Sequence, residues 1–187
     1  MANEVLQKAG TDITFGVSGS FSPADAGTQW ASSITDLITL SGITDGSGRQ
    51  SDKVDLGATR AAQYAVLGCV DFTGETPTAG GTVDYYWAPS TSTTQGTGNV
   101  AGNSGADAAA PGGALGSITL AEFLLQCQFI GSLVVHDGAV VQNGFVGVLS
   151  PSARYGQLIV VNNSGGTFEA DDVEAHQLLQ PIVDEVQ

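Results

Sequence analysis

The stretch FIGSLVVHDGAVVQNGFVGVLSPSARYGQLIVVNN, residues 129–163, is the most hydrophobic part of the chain and decides its fold class. Val, Ile, Leu and Phe dominate three runs, at 129–135, 139–149 and 155–161, and His-Asp-Gly and Ser-Pro-Ser separate them. Short β-rich runs between turn residues are typical of antiparallel strands. The sequence therefore predicts three core strands arranged as a meander.

Three further β-rich runs precede this stretch, at 53–57, 60–72 and 82–89, and Gly, Thr and Pro again punctuate them. No repeat of 20 to 50 residues is visible, and no regular helices alternate with the strands. This arrangement predicts an all-β fold, a single antiparallel β-sandwich or jelly-roll-like domain with successive strands side by side.

Two segments leave the type of secondary structure open. In 118–130 the apolar residues fit a helical spacing, but Phe123, Leu125, Cys127 and Phe129 also share one side at period two. The segment WASSITDLITL, 30–40, is equally compatible with a short capped helix or a strand. The interpretation as strand is favoured for both.

The chain divides into three parts by composition. Residues 1–50 form a polar N-terminal arm and a loop-rich approach to the sandwich, and residues 51–166 form its core. A Gly/Ser-rich insertion at 89–114 interrupts this core, and it carries a single charge, Asp107. Residues 167–187 are acidic and irregular, which favours an extended C-terminal arm that reaches a neighbouring molecule.

The charge balance restricts the partners. Nineteen acidic and five basic residues give a net charge of -14, which repels phosphate backbones and anionic lipid surfaces. No apolar run is long enough to span a membrane, and the first residues lack the pattern of a signal peptide. We therefore expect a protein made in a cytoplasm, with no nucleic-acid partner and no membrane partner.

No sequence motif for catalysis or metal binding is present. Cys69 and Cys127 lack metal-ligand spacing and are expected to be free thiols, and His136 and His176 lack a metalloprotease context and are expected in a turn or on the surface. The glycine-rich pieces lack the lysine of a phosphate-binding loop. The sequence predicts no enzyme, no catalytic residue, no cofactor and no metal.

Two acidic patterns are weaker candidates for chemistry. A glycosidase would need two flanking carboxylates, but pairs among so many acids are expected by chance; the candidates are Asp71, Glu75, Asp84 and Glu122. The segment TDGSGRQSD, 44–52, bears oxygen ligands around a turn but lacks the order of a calcium-binding EF-hand loop. A solvated loop is the favoured interpretation.

Three aromatic residues, Tyr85, Tyr86 and Trp87, precede the long insertion. Adjacent aromatic faces can stack on a sugar ring. Strand alternation, however, places Tyr86 on one side and Tyr85 and Trp87 on the other. Packing in the core or at a subunit contact is therefore favoured over a glycan-facing surface.

The last quarter of the chain carries a family resemblance. Its motifs are S-P-S-A-R-Y-G-x-L-x-V-x-N at 150–162, D-D-V-E-x-H at 171–176 and P-I-V-D-E-V-Q at 181–187. This segment resembles the C-terminal part of a family of small structural proteins of tailed bacteriophages. The resemblance implies a virion component, and similarity to head decoration (cement) proteins implies a homotrimer on the capsid surface, made in the host cytoplasm, that binds the major capsid protein without catalysis.

The same segment supplies the candidate contact residues. Arg154 is interpreted either as an anchor for a neighbour's carboxylates or as part of a local ion pair. The predicted capsid or subunit contacts are Arg154, Tyr155, Asp171, Asp172, Glu174, His176, Ile182 and Val183, with Leu178 and Leu179 as further apolar candidates. The alternative function is a tail-associated receptor-binding protein with a lectin-like jelly roll that binds host glycan through the three aromatics.

Overall fold

The computed structural model describes residues 10–22, 30–31, 33–101, 103–112 and 118–182. These residues form eleven strands and one short helix. The strands are β1 (Ile13–Gly16), β2 (Asp36–Leu37), β3 (Gly48–Gln50), β4 (Val54–Asp55), β5 (Gln63–Asp71), β6 (Thr82–Ser90), β7 (Ala108–Ala110), β8 (Gln128–Val134), β9 (Val141–Leu149), β10 (Tyr155–Asn163) and β11 (His176–Ile182), and the helix is α1 (Leu120–Leu124).

All eleven strands belong to one sheet that curls into a half-barrel. Its order is β2-β1-β11-β5-β9-β8-β6-β10-β3-β7, and β4 pairs with β10 beside that path. Every pairing is antiparallel except that of β1 with β2, which is parallel. The predicted all-β, sandwich-like or jelly-roll-like fold is confirmed.

The predicted meander is wrong in one connection. β8 and β9 are neighbours, but β10 pairs with β6 over nine residues, from Tyr155↔Ser90 to Asn163↔Thr82. All residues from Gly156 to Asn162 are buried. A strand that is buried on both faces is suited to the interior of a sheet, and β10 lies there, between β6 and β3.

The described parts of both predicted arms belong to the sheet. β11 pairs with β5 along seven residues and with β1 on its other side, and Leu178 and Leu179 are buried. β1 and β3 bring described parts of the first fifty residues into the same sheet. The prediction of a free arm is therefore wrong for residues 167–182, because the main-chain groups of β1 and β5 bond to β11.

The core has two parts because β6 and β10 are buried on both faces. Leu158 and Val160 of β10 face the concave side, where they join the main cluster with Tyr85 and Trp87. Ile159 and Val161 face the other side and pack with Phe123 of α1. The short helix thus seals the outer face of the two central strands.

A capping box explains why α1 forms in the ambiguous segment 118–130. The Thr119 side chain accepts from the Glu122 backbone N–H, and the Glu122 carboxylate accepts from the Thr119 backbone N–H at 2.8 Å. This reciprocal cap stabilises a helix start. The favoured strand is therefore wrong for Leu120–Leu124 and holds from Gln128 onward. In 30–40, only Asp36–Leu37 form a strand.

Two basic residues hold the long insertion against the sheet. Lys53 Nζ donates to three loop carbonyls, those of Ser92, Thr94 and Thr97, at 3.1, 2.7 and 2.8 Å. Arg49 of β3 makes a two-pronged ion pair with Asp107 at 2.7 and 2.6 Å. The insertion is therefore anchored at both of its ends.

Candidate functional site

The three aromatics before the insertion do not form a glycan-facing surface. Tyr85 and Trp87 are fully buried in the concave core, and the Tyr85 hydroxyl donates to the Gln177 side chain at 2.7 Å. Tyr86 lies on the other face, half-buried against Phe129 with ring centroids 5.1 Å apart. The alternation predicted from the sequence is confirmed, and the glycan-facing role is wrong for Tyr85 and Trp87.

Arg154 is engaged within its own chain. Its guanidinium donates to both oxygens of Asp55 at 2.6 Å, and its Cζ lies 5.1 Å from the centre of the Tyr155 ring. β4 and β10 bring the two charges together by pairing Tyr155 with Asp55. Of the two interpretations, the geometry matches the local ion pair, and the contact with a neighbour's carboxylates stays a prediction.

Most of the C-terminal candidates that the structure describes pack within the chain. The Asp172 carboxylate accepts from the backbone N–H groups of Leu40 and Ser41, both at 2.8 Å, so it ties the loop before β11 to the segment after β2. Ile182 is partly buried, and Leu178 and Leu179 lie in the domain interior. Val183 lies outside the described residues.

His176 is a buried residue and not a surface one. Its Nδ1 lies 2.7 Å from the Glu174 carbonyl, and its Nε2 accepts from the Trp30 backbone N–H at 3.1 Å. These two bonds fix the neutral ring with the proton on Nδ1. Burial lowers the pKa of His176, which the hydrogen bond to Glu174 only partly offsets. Its role as a contact residue is therefore wrong.

The structure gathers four carboxylates that the sequence does not group. Asp71 lies at the end of β5, and the loop before β11 supplies Glu169, Asp171 and Glu174. One oxygen from each residue lies within 4.8 Å of the others. A backbone bond from Glu169 N to Asp71 O, 2.9 Å long, holds the loop beside the strand end. Asp171 and Glu174 are thus predicted site residues that come together, with two partners.

Crowding of like charge changes the acidity of this cluster. Desolvation, the hydrogen bond that Glu169 can donate to Asp71 only when it is protonated, and the negative charges of Asp71, Asp171 and Glu174 raise the pKa of Glu169 to about 7. Asp71 is buried, with its Oδ1 accepting from Thr73 N and Oγ1 at 2.8 and 2.7 Å. Its Oδ2 is buried without a hydrogen-bond partner. The cluster therefore concentrates negative charge around a desolvated oxygen.

The sequence could reveal only half of this cluster. Glu169, Asp171 and Glu174 lie close together in the sequence. Acidic residues are so frequent in this segment that their spacing does not stand out. Asp71 is contributed by a different strand, and only the pairing of β5 with β11 brings it near.

The remaining carboxylate candidates lie apart from one another and have structural partners. Asp84 accepts from Ser132 and Asn163 at 2.6 and 2.8 Å, and Glu122 caps α1. In the segment 44–52, Asp45 accepts from Gly165 N and Asp52 accepts from Asp107 N, both at 2.8 Å. The carboxylates of that segment therefore point to different partners and do not converge on one point.

The cysteines and His136 have structural roles. Cys69 is buried and Cys127 partly buried, both are free thiols, and burial raises the pKa of each to about 12. His136 lies in the turn between β8 and β9, where its Nδ1 accepts from Gly138 N at 2.9 Å. The predictions of free thiols and of a turn histidine are confirmed.

The convex face of β8 and β9 exposes large apolar side chains. Phe129, Val134, Phe145 and Val148 are between 41% and 67% exposed, although each adjoins residues of the packed sheet. β8 and β9 approach closely at Gly131↔Gly147, where a Cβ on either glycine would strike a backbone carbonyl of the other strand. Neither strand contains a charged residue. The convex face thus leaves four large apolar side chains in contact with solvent.

Neither a scan of protein-family models nor a search of curated proteins finds a match for this chain. Among the residues that the structure describes, no helix has the length and apolarity to cross a membrane. The convex face and the acidic cluster are therefore the two structural features that bear on function.

Proposed function

We propose that this chain is a structural protein of a bacteriophage virion, a head decoration protein that binds and stabilises the lattice of the major capsid protein by non-catalytic contacts. It acts as a homotrimer on the capsid surface. The observation that carries the proposal is the uncharged, apolar convex face of β8 and β9, taken together with the resemblance of the last quarter of the chain to phage structural proteins.

The charge of the chain limits where two copies can meet. Each copy carries a net charge of -14, so contact through most of the surface places like charges together. β8 and β9 have no charged residue, and Phe129, Val134, Phe145 and Val148 are exposed there. Burial of these side chains removes apolar area from water, and the carboxylate of Asp84 on the neighbouring strand β6 already accepts from Ser132 of β8 and from Asn163. The convex face is therefore assigned to the contact between copies.

The acidic remainder of the surface is assigned to the capsid protein. A strongly negative surface complements a basic patch and associates with it through screened, long-range attraction. Many symmetry-related copies on one shell add their contacts, so modest binding by each copy stabilises the lattice. Leu178 and Leu179, the apolar contact candidates from the sequence, are buried in the domain and are not assigned to the capsid contact.

The contact between copies is tested by changing the oligomer. In light scattering after size-exclusion chromatography, the wild type should have the mass of three chains, and Phe145→Asp should have the mass of one. Leu37→Asp is the matched control, because Leu37 is also exposed but lies in β2, an edge strand four positions from β9 in the sheet. A monomeric wild type, or a trimeric Phe145→Asp, would contradict this part of the proposal.

The virion role needs the native particle. Cryo-electron microscopy of purified virions should show the chain over junctions between capsid subunits, and washing with high salt should release it as ion pairs are screened. Density on the tail, or absence of the chain from particles, rejects the decoration role. The glycan-binding alternative is not proposed further, because Tyr85 and Trp87 are inaccessible.

A further inference from the structure

The four carboxylates of Asp71, Glu169, Asp171 and Glu174 have no assigned role in the proposed virion function. We propose that these four residues form a binding site for one Ca²⁺ ion.

The spacing of the oxygens suits a calcium ion. One oxygen from each residue lies within 4.8 Å of the others. Calcium binds oxygen at about 2.3–2.6 Å, so two ligands on opposite sides of the ion are about 4.8 Å apart. A single ion placed among the four carboxylates can therefore reach every one of them.

The Asp71 carboxylate supplies an independent indication of a ligand. Asp71 is 2% exposed, and its Oδ1 is satisfied by the backbone and hydroxyl of Thr73. Its Oδ2 has no hydrogen-bond partner although it is buried. A buried, unpaired carboxylate oxygen is costly unless a cation or a donor satisfies it. Glu169 and Glu174 are partly exposed and Asp171 is exposed, so a cation can reach the cluster from solvent.

The ligand chemistry selects the cation. All four candidate ligands are carboxylate oxygens, which suit hard cations and not the soft metals that prefer sulfur and nitrogen. Magnesium needs a near-ideal octahedron at about 2.0–2.1 Å and retains several waters, so it uses a dense set of carboxylates poorly. Calcium accepts irregular sets of six to eight oxygens, including bidentate carboxylates.

A proton offers the competing explanation for the unpaired oxygen. One proton shared between Asp71 and Glu169 would also satisfy Oδ2, since two adjacent carboxylates favour a singly protonated pair. Added calcium distinguishes the two explanations. Ca²⁺ stabilises the folded protein only if the cluster is a cation site.

Calcium titration of the full chain tests the site. After removal of metal with EDTA at pH 8, isothermal titration with CaCl₂ should give one ion per chain, and the unfolding temperature should rise with CaCl₂ concentration. MgCl₂ at equal concentration should give a smaller rise. Asp171→Asn, at the exposed rim of the cluster, should weaken Ca²⁺ binding at least about tenfold, because ligand charge sets affinity.

Two further variants separate the site from general effects of charge. Asp137→Asn, which removes an exposed acid in the β8–β9 turn, should bind Ca²⁺ like the wild type. Asp71→Asn should lose binding, and if it does not fold, Glu169→Gln provides the same comparison. The inference is overturned if Ca²⁺ neither binds nor raises the unfolding temperature, or if Asp171→Asn and Asp137→Asn respond alike. None of these measurements depends on the virion role.

Discussion

Two loops of this molecule treat charge in opposite ways. The long insertion is almost neutral, and its single charge, Asp107, meets Arg49, while Lys53 donates to three of its carbonyls. The loop before β11 places Glu169, Asp171 and Glu174 around Asp71. This chain thus uses two of its five basic residues, Arg49 and Lys53, to order a loop of low sequence complexity. The loop before β11 instead brings like charges together, and those of Asp71, Asp171 and Glu174 act on Glu169.

The largest effect is expected from breaking the ion pair of the insertion. Arg49→Ala leaves the Asp107 side chain, 9% exposed, without its counter-ion, and removal of one partner from a largely buried pair is destabilising. We expect a loss of about 2–3 kcal/mol in the free energy of unfolding, measured by urea denaturation, because Arg49 itself is partly solvated.

Arg154→Ala is the matched control for that measurement. Arg154 pairs with Asp55 in the same two-pronged geometry, but the two side chains are 40% and 42% exposed. Solvent screens exposed pairs, so this variant should lose much less stability than Arg49→Ala. Equal losses in the two variants would show that burial does not distinguish the pairs.

Acid should weaken the insertion by titrating Asp107. Burial pulls the pKa of Asp107 upward, but the hydrogen bonds from Arg49 and Thr39 and the charge of Arg49 outweigh it, so the pKa lies below its ordinary value. A carboxylate with a depressed pKa contributes stability that is full above the unfolded-state pKa and is lost as pH falls through the folded-state pKa. The contribution should therefore disappear below about pH 4.

Urea unfolding at several pH values measures this contribution. Asp107→Asn should be less stable than the wild type at pH 7, and the difference should shrink as pH falls below about 4. Asp55→Asn, at the exposed pair, should show a smaller difference at neutral pH. A constant difference between Asp107→Asn and the wild type from pH 7 to pH 2.5 would exclude titration of Asp107 as its source.

The contrast between the loops also marks how far sequence reasoning reaches. Alternation correctly places Tyr86 opposite Tyr85 and Trp87, and composition correctly marks β5, β6, β8, β9 and β10, because these signals are local. The partner of a strand is not local. β10 next to β6, and β11 between β1 and β5, follow from which edges remain open in the folded sheet, and the acidic composition of 167–175 hid the strand that follows it.

The same limit applies to the charged sites. Asp107 stands out in the sequence as the one charge of a neutral loop, but nothing near it identifies Arg49 as its partner. Asp71 was a candidate carboxylate on its own, and its cluster appears only when β5 and the loop before β11 are adjacent. The types of these residues are evident from the sequence. Only the fold shows that residues from distant segments lie close together.

The smallest effect, and the one of opposite sign, is expected in the acidic loop. Glu169→Gln removes one charge from a group of four carboxylates that repel one another, so the metal-free variant at pH 8 should be more stable than the wild type. Two exposed charges about 4 Å apart interact by about 1 kcal/mol in water, so we expect a gain of that order. Urea unfolding in EDTA measures it.

The direction of the change in unfolding free energy distinguishes the two loops. Removal of the Asp107 charge should destabilise the insertion because Asp107 pairs with Arg49. Removal of the Glu169 charge should stabilise because three other carboxylates lie close to it. Asp137→Asn, an exposed acid outside both loops, controls for the lower net charge of the variant. A gain no larger than that of Asp137→Asn would show that the cluster is not under electrostatic strain, and a loss would show that Glu169 holds a stabilising bond.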